Sequence, residues 1–310
     1  MIVEIKNLVK RYKDFIAVDN LSMGIKEGEI FGLLGPNGAG KTTAINTILG
    51  LTKKHSGEIK IFGKDMDKCE SEIKRNIGIV PQNIALFNDL TAYENVEFFG
   101  RLYGLKGRAL KEGVEQALEF TGLLDRKKDY PGKYSGGMQR RLNIACAIVH
   151  KPKLLIMDEP TAGIDPQSRN HILQSVRELN KLGSTIIYTS HYMEEVEELC
   201  SDITIMDHGK VIARGSKDDL KSLITVEDKI YIELSSVNFN MIDNIKKISG
   251  VKDCTVDGKS ITVVSNKNSR NLSRIIDAIN NCENEILNVN VAKITLEDVF
   301  LTLTGRKLRD

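Results

Sequence analysis

Apolar and polar residues alternate over much of residues 1–85, and this period of two predicts β-strands joined by glycine-rich turns. The N-terminal residues 1–6 follow the same pattern. Over residues 86–150 the apolar side chains recur at helical intervals instead, after Thr91 and Glu94, which have the spacing of a capping box. This change of period predicts a mainly helical segment inside a larger domain that contains strands.

Short apolar runs alternate with helical patterns over residues 151–220. The runs at residues 154–157, 185–189 and 203–206 have the length of buried strands, and Asp165-Pro166 is typical of a helix cap before the first helical residue. Strands that alternate with helices form a mainly parallel sheet. We therefore predict one α/β domain over residues 1–222, with a helical subdomain at about residues 86–150.

A second pattern starts near residues 222–228 and predicts a small α+β accessory domain over residues 228–310. Its order of strand, helix, hairpin, helix and strand matches a β-α-β-β-α-β ferredoxin-like unit, and Asp257-Gly258 signals the hairpin. A final helix is expected at residues 296–303. Since no motif here indicates chemistry, we expect a structural or dimer-stabilising role, with ligand sensing as the alternative.

Composition narrows the class of protein. A net charge of +2, from 44 basic and 42 acidic residues, gives no overall electrostatic reason to expect nucleic acid as a partner. No apolar stretch approaches the roughly 20 residues that cross a bilayer, and residues 1–6 lack the pattern of a signal peptide, which favours a soluble cytoplasmic protein. The five cysteines are scattered without a CxxC pair, as expected of reduced thiols.

The phosphate-binding motif G-x-x-x-x-G-K-[ST] is complete at residues 35–42, between a predicted strand and a predicted helix. Its glycines let successive backbone N–H groups face phosphate oxygens, and the helix adds the positive end of its dipole. We expect Lys41 to reach the β- and γ-phosphates of ATP and the Thr42 hydroxyl to bind Mg²⁺. The expected phosphate-binding residues are Gly35, Pro36, Asn37, Gly38, Ala39, Gly40, Lys41, Thr42 and Thr43.

Two carboxylates, Asp158 and Glu159, end the apolar run at residues 154–157. Ligands of open α/β sheets bind at the carboxyl ends of strands, so both acids are expected beside the phosphate. Asp158 is expected to bind Mg²⁺, directly or through water, and Glu159 to orient an attacking water or accept its proton. Alternation along a strand places the two side chains on opposite faces, which predicts different roles. A general base predicts hydrolysis of ATP as well as binding.

Residues 134–139, Tyr-Ser-Gly-Gly-Met-Gln, lie upstream of these carboxylates. With the phosphate loop, they make residues 1 to about 220 resemble the ATP-binding subunits of ABC transporters. The resemblance implies a P-loop nucleotide-binding domain with a RecA-like core, an antiparallel β subdomain and a helical subdomain. It also implies a homodimer that sandwiches ATP between the phosphate loop of one chain and the helix start at Ser135, Gly136 and Gly137 of the other, since a capped helix start binds anions.

The same resemblance gives roles to further residues. Tyr12 matches the aromatic residue that stacks on adenine, and Gln82 matches the glutamine that links Mg²⁺ to the membrane-subunit contact. Asp165 matches the loop that crosses between the two chains, and His191 matches the switch histidine that faces the γ-phosphate. The expected catalytic residues are Lys41, Glu159 and His191, and the expected Mg²⁺ ligands are Thr42, Gln82 and Asp158.

Two positions depart from the common signature of the family: Met138 stands where glutamine is usual, and Tyr134 stands where leucine is usual. This variant, with the tail motif at residues 296–306, resembles the drug-efflux and daunorubicin-resistance-like group. The group implies a separate transmembrane permease, a peripheral position at the cytoplasmic face of the cell membrane, and export of drugs, lipids or other hydrophobic compounds. We expect dimer closure to survive Met138, because Ser135 and backbone N–H groups supply the phosphate contacts.

Aromatic residues are concentrated in residues 83–104, next to Gln82, where some are expected in the core and others in a groove for a helix of the membrane subunit. The alternative function is a soluble ABC-type ATPase that acts on a ribosome or a nucleic-acid machine. Ribosome-acting members usually carry two cassettes, and DNA-repair members insert a long coiled coil before the signature; neither feature is seen here. A third alternative is a scaffold without turnover, and Glu159 and His191 argue against it.

Overall fold

The computed structural model describes residues 1–224, 227–266, 271–282, 284–291 and 294–305, and the chain separates into two compact units. The first comprises Met1–Lys217 with the chain from Leu303, and the second comprises Asp218–Thr302. This division lies a few residues before the boundary predicted at residues 222–228, because most of the short helix Lys217–Ser222 belongs to the second unit. Residues 225 and 226 of that boundary lie outside the described residues.

The first unit is built from two sheets and the helices that cover them. Its strands are β1 Val3–Tyr12, β2 Phe15–Ile25, β3 Ile30–Leu34, β4 Ser56–Ile61, β5 Lys64–Asp65, β6 Ile77–Val80, β7 Leu154–Asp158, β8 Thr185–Ser190, β9 Asp202–Asp207 and β10 Lys210–Gly215. Its helices are α1 Lys41–Ile48, α2 Met66–Lys74, α3 Ala92–Leu102, α4 Gly107–Phe120, α5 Gly136–Ile148, α6 Pro166–Lys181 and α7 Met193–Leu199.

The larger sheet has the strand order β10-β9-β3-β8-β7-β6, and its pairs from β9 to β6 are parallel. Strands β3, β7 and β8 are buried along their whole length, as expected where helices cover both faces of a sheet. Their carboxyl ends are adjacent, since Leu34 pairs with Ser190 and Asp158 pairs with Thr189. This edge brings the phosphate loop, the two carboxylates and His191 together.

The smaller sheet is antiparallel, with the order β2-β1-β4-β5. Inward side chains of β1, including Val3, Ile5 and Leu8, share one core with β3 and α1. The β1–β2 hairpin pairs Tyr12 with Phe15 at its tip.

Helices α3, α4 and α5 lie in the segment predicted to be helical. Helix α3 begins with the predicted capping box: Thr91 N donates to Glu94 Oε2 at 2.8 Å, and Glu94 N donates to Thr91 Oγ1 at 3.3 Å. The buried Asn95 holds the preceding turn, because its Oδ1 accepts from Phe87 N at 2.8 Å and its Nδ2 donates to Leu90 O at 3.0 Å. In the part of the chain that the structure describes, no helix is long and apolar enough to cross a membrane.

The second unit has the β-α-β-β-α-β element order that the sequence predicts. Its elements are α8 Lys217–Ser222, β11 Glu227–Leu234, α9 Phe239–Lys246, β12 Val251–Asp257, β13 Ser260–Asn266, α10 Asn271–Asn280, β14 Ile286–Val291 and α11 Leu296–Thr304. The antiparallel sheet has the order β12-β13-β11-β14, and Ile230, Ile232 and Leu234 alternate into its core. Arg306, the last residue of the tail motif, lies outside the described residues.

Candidate functional site

The predicted phosphate loop lies between β3 and α1, at the carboxyl edge of the larger sheet. Gly38 and Gly40 have φ values of +80° and +101°, which favour glycine. A Cβ atom at Gly35 would run into the Met206 carbonyl oxygen, and one at Gly40 into the Ala17 carbonyl oxygen. Glycine therefore lets the loop pack directly against neighbouring backbone.

A cavity of about 330 Å³ lies beside this loop, within the size range of small-molecule sites. Pro36 is buried behind it. The cavity is lined by Asn37, Gly38, Ala39, Gly40, Lys41, Thr42 and Thr43 of the loop, and by Phe15, Ala17, Gln82 and Glu159. The structure thus places Glu159, the predicted catalytic base, and Gln82, a predicted Mg²⁺ ligand, against the predicted phosphate loop.

Phe15 lines the cavity and is 65% exposed, a position that the sequence analysis does not anticipate. Tyr12, predicted to stack on adenine, is 48% exposed and lies against Lys10, whose Nζ is 4.7 Å from the ring centroid. Tyr12 is not among the described residues that line the cavity. One sequence signal could have drawn attention to Phe15: the short turn between Tyr12 and Phe15, which places both rings at the tip of one hairpin.

Lys41 is buried, and its ammonium group is held by three oxygens. Its Nζ donates to Gly35 O at 2.8 Å and to Pro36 O at 3.2 Å, and it forms an ion pair with Glu159 Oε1 at 3.0 Å. The side chain is only 4% exposed, so the ion pair is screened little by water. The predicted phosphate-binding cation and the predicted base therefore contact each other directly.

Glu159 joins three of the predicted site residues. Besides the ion pair with Lys41, its Oε2 accepts a hydrogen bond from Gln82 Nε2 at 3.1 Å and lies 3.1 Å from His191 Nδ1. The Glu159 backbone N–H donates to Thr189 Oγ1 at 2.9 Å, which anchors the residue to β8. The structure thus brings Lys41, Gln82, Glu159 and His191 into one cluster.

Asp158 and Glu159 have different surroundings, but the reason differs from the one predicted. Strand β7 ends at Asp158, and Glu159 has φ of +46°, so strand alternation does not extend to Glu159. The turn aims Glu159 at Lys41, whereas Asp158 stays in the sheet edge and accepts a hydrogen bond from the Thr189 hydroxyl.

The oxygen ligands expected for Mg²⁺ lie at this same edge and fit the ion. Gln82 donates through its amide nitrogen, which leaves its carbonyl oxygen as an acceptor, while Thr42 lines the cavity and Asp158 supplies a carboxylate. Mg²⁺ in nucleotide sites takes one or two carboxylates together with substrate phosphates. Among the described residues no group of three His, Cys, Asp or Glu side chains could hold a metal ion.

The other predicted residues form a second group at the starts of α5 and α6. Ser135 caps α5 and accepts from Met138 N at 3.3 Å, and Asp165 caps α6 and accepts from Ser168 N at 2.9 Å. This backbone hydrogen bond lowers the pKa of the Asp165 carboxyl. A Cβ atom at Gly137 would run into the Ser168 side chain, so glycine lets the two helix starts approach closely. Ser135, Gly136 and Asp165 are exposed.

Arg140 is a site residue to which the sequence analysis gives no role. It lies on α5, is 3% exposed, and donates from Nη1 to Pro81 O at 2.6 Å and from Nη2 to Gln82 O at 2.5 Å. Burial lowers the pKa of its guanidinium. Arg140 therefore fastens the backbone of Gln82 to the helix that Ser135 caps.

The aromatic residues after Gln82 divide between core and surface. Phe87 and Phe98 are 45% and 43% exposed, and their ring centroids are 4.8 Å apart. Phe99 packs edge-on against Phe98 at 5.6 Å. Tyr103 instead stacks on the His150 ring within the fold. Phe87 and Phe98, with the half-buried Phe99 packed against them, form an aromatic surface patch, Phe87-Phe98-Phe99.

Comparison with known proteins gives matches over the whole chain. A family model described as "ABC transporter" matches residues 18–162. The chain is 45% identical to the linearmycin resistance ATP-binding protein LnrL of Bacillus subtilis, over 99% of this chain and 100% of the relative. It is 35% identical to the daunorubicin resistance ATP-binding protein DrrA3 of Streptomyces coeruleorubidus, over 96% and 93%. These relatives agree with the resemblance stated above and give no support to a ribosome or nucleic-acid machine.

Two solved structures show the same architecture. The structure of cbiO1 from Clostridium perfringens, part of the transporter complex cbiONQ, has a TM-score of 0.66 and 33% identity, over 71% of this chain and 90% of that chain. A dimeric structure of the ATP-binding cassette MJ0796 bound to ADP and Pi has a TM-score of 0.64 and 30% identity, over 69% and 98%. The predicted fold class is confirmed.

Proposed function

The chain belongs to the ABC transporter family, as an ATP-binding subunit that hydrolyses ATP, and we propose that it powers the export of a hydrophobic compound through a separate membrane permease. The observation that carries the proposal is the cluster of Lys41, Gln82, Glu159 and His191 beside the phosphate loop. Phosphoryl transfer to water depends on positioning and charge neutralisation, and the cluster supplies a cation, a base and a histidine for both.

The contacts of Lys41 suggest how binding prepares the base. Its ammonium group is paired with Glu159, so a triphosphate in the loop competes with Glu159 for the same charge. Once Lys41 turns to the β- and γ-phosphates, the Glu159 carboxylate is left to orient the attacking water and accept its proton. With Nδ1 next to Glu159, His191 has Nε2 left to contact the γ-phosphate.

Thr42, Gln82 and Asp158 are proposed to hold Mg²⁺, which would supply positive charge to neutralise the triphosphate. Adenine is proposed to lie at the tip of the β1–β2 hairpin. Tyr12 remains the proposed stacking partner, and Phe15, which lines the cavity, is a second aromatic surface for the base.

Ser135, Gly136, Gly137 and Asp165 are proposed to complete the ATP site of a second copy of the chain. They lie at exposed helix starts, where backbone N–H groups and the helix dipole favour an anion. The relative MJ0796 is seen as a dimer with ADP and Pi. We propose that this chain likewise closes as a homodimer around ATP.

The permease is proposed to dock at the Phe87-Phe98-Phe99 patch, which holds the protein at the cytoplasmic face of the membrane. Exposed aromatic side chains next to Gln82 suit a groove for an amphipathic helix, and Gln82 itself contacts Glu159. The second unit is proposed to stabilise the dimer.

The substitution Glu159→Gln tests the catalytic assignment. We expect the variant to bind ATP, because the loop and Lys41 are intact, to lose hydrolysis by about 100-fold or more, and to accumulate as a dimer with ATP. Nucleotide binding, steady-state phosphate release and size-exclusion chromatography measure these properties, and Lys41→Ala serves as the control with weakened binding. Parental turnover by Glu159→Gln would refute the assignment.

Purification from membranes tests the transport assignment. We expect the protein to be recovered with a membrane protein of several bilayer-spanning apolar segments, and Phe98→Ser to reduce that recovery without reducing ATP binding. Recovery with ribosomes or nucleic acid, and none with a membrane protein, would favour the soluble alternative instead.

A further inference from the structure

Glu195, on helix α7, is a completely buried carboxylate that contacts four side chains. Its Oε2 accepts hydrogen bonds from Thr161 Oγ1 at 2.8 Å, Tyr188 Oη at 2.9 Å and Ser190 Oγ at 3.1 Å. Its Oε1 forms an ion pair with Arg169 Nε at 2.7 Å. A buried charge is costly unless it is paired and hydrogen-bonded. Oε2 accepts three hydrogen bonds, whereas Oε1 has the ion pair and no hydrogen bond among the described residues, and together these contacts make Glu195 the centre of an organised network.

The four contacts come from three segments that each carry a residue of the proposed ATP site. Thr161 follows Glu159 by two positions, and Arg169 lies in the first turn of α6, which Asp165 caps. Ser190 immediately precedes His191. The Glu195 carboxylate therefore contacts the three segments that carry Glu159, Asp165 and His191.

The backbone around His191 is held from both sides by this network. The Ser190 hydroxyl donates to Glu195 and also accepts a hydrogen bond from Tyr192 N at 2.9 Å. Arg169, which pairs with Glu195, has its guanidinium carbon 5.2 Å from the Tyr192 ring centroid. The His191 ring then reaches Glu159 Oε2 at 3.1 Å.

The hydroxyl groups that contact Glu195 act as hydrogen-bond donors. Burial, and secondly the Glu195 charge, raise the pKa of Tyr188 well above its ordinary value, so this hydroxyl stays protonated and donates. The Thr161 and Ser190 hydroxyls donate as well. Glu195 Oε2 is consequently the common acceptor of these three hydroxyl groups.

We propose that Glu195 is a positioning residue for ATP hydrolysis, which sets His191 against Glu159 and links both to the start of α6. The proposal rests on the proposed function of the site. Glu195 does not line the phosphate-loop cavity among the described residues, so its effect is expected on the hydrolytic step and not on ATP affinity.

The test compares Glu195→Gln with Glu194→Gln on the same helix. Glu194 is the adjacent acid; its side chain is 92% exposed, and its pair with Arg169 is long, at 3.8 Å, and screened by solvent. We expect Glu195→Gln to lower kcat by at least about tenfold, and up to about 100-fold, with KM and the Kd for ATP within about threefold of the parent. Glu194→Gln is expected to leave all three unchanged.

A double-mutant cycle with His191→Ala separates positioning from general loss of structure. If Glu195 acts through His191, single-turnover hydrolysis by the double variant is expected to be no slower than by His191→Ala alone. Multiplied losses, or a kcat of Glu195→Gln equal to that of the parent, would overturn the proposal. Should Glu159→Gln also keep full turnover, the proposed function itself would have failed.

A second variant covers the case in which Glu195→Gln does not fold. Ser190→Ala removes two hydrogen bonds of the network, the one to Glu195 Oε2 and the one from Tyr192 N, and leaves the charge pair intact. We expect it to lower kcat by about three- to tenfold with unchanged ATP affinity. An unchanged kcat in Ser190→Ala, together with an unfolded Glu195→Gln, would show that the network serves only stability and would refute the proposal.

Discussion

His150, which follows helix α5, gives a stability prediction whose size can be worked from the structure. Its ring stacks on Tyr103 with centroids 3.5 Å apart, and its Nε2 lies 3.2 Å from Ile77 O. That carbonyl oxygen accepts a hydrogen bond from Nε2, so the neutral ring carries its hydrogen there. Nδ1 is buried without a hydrogen-bond partner among the described residues. Protonation would therefore place a second N–H group where nothing accepts it.

Burial lowers the pKa of His150 to about 4, although the Ile77 carbonyl favours the charged ring to a smaller extent. The ordinary value of 6.5 applies to the unfolded chain, which therefore takes up the proton first as the pH falls. The stabilising contribution is complete above pH 6.5, and it is lost as the pH falls toward about 4. From these two values, the loss between about pH 7.5 and about pH 5 is about 2 kcal/mol.

The assay is urea unfolding of the parent and of His150→Phe, monitored by circular dichroism at several pH values across this range. Phenylalanine keeps a ring against Tyr103 but does not titrate, so we expect the parent to lose about 2 kcal/mol more than the variant on acidification. Because the chain has two compact units, the transition of the first unit is fitted separately. The control is His208→Gln, which replaces a histidine whose side chain is 58% exposed.

Equal losses in the parent and in His150→Phe would refute the reasoning. That result would mean that the charged imidazole is accommodated in the fold, and that Nδ1 finds an acceptor or water on protonation.

Two further predictions concern the helix that Ser135 caps. Arg140→Met should lower kcat by about tenfold, with ATP affinity within about threefold, because the backbone of Gln82 loses its anchor. The control Arg141→Met removes the hydrogen bond to Thr121 O and should keep the parental kcat; equal effects of the two substitutions in phosphate-release assays would contradict the assignment. Gly137→Ala should destabilise the first unit by about 1–3 kcal/mol in urea unfolding, through collision with the Ser168 side chain. Gly132→Ala, which meets no atom within 4 Å, is its control, and failure of Ser168→Gly to restore stability would argue against that collision.

The sequence by itself determined the features whose signals are local. The capping box at Thr91, the helix caps at Ser135 and Asp165 and the phosphate loop each depend on residues within a few positions of one another. Side-chain period likewise predicted the alternation of strands and helices over residues 151–220 and the element order of the second unit, since burial of one face requires it.

The tertiary structure alone decided which distant residues meet. The cluster around Glu159 joins four segments, and its geometry depends on a left-handed turn at Glu159 that strand alternation did not predict. Arg140, Phe15 and Glu195 carry no local signal, because an arginine in a helix, an aromatic residue at a hairpin and a glutamate in an acidic helix are usual on a surface. Their burial or position in the site follows from packing between elements far apart in the chain, and it is this packing that converts separate motifs into one connected site.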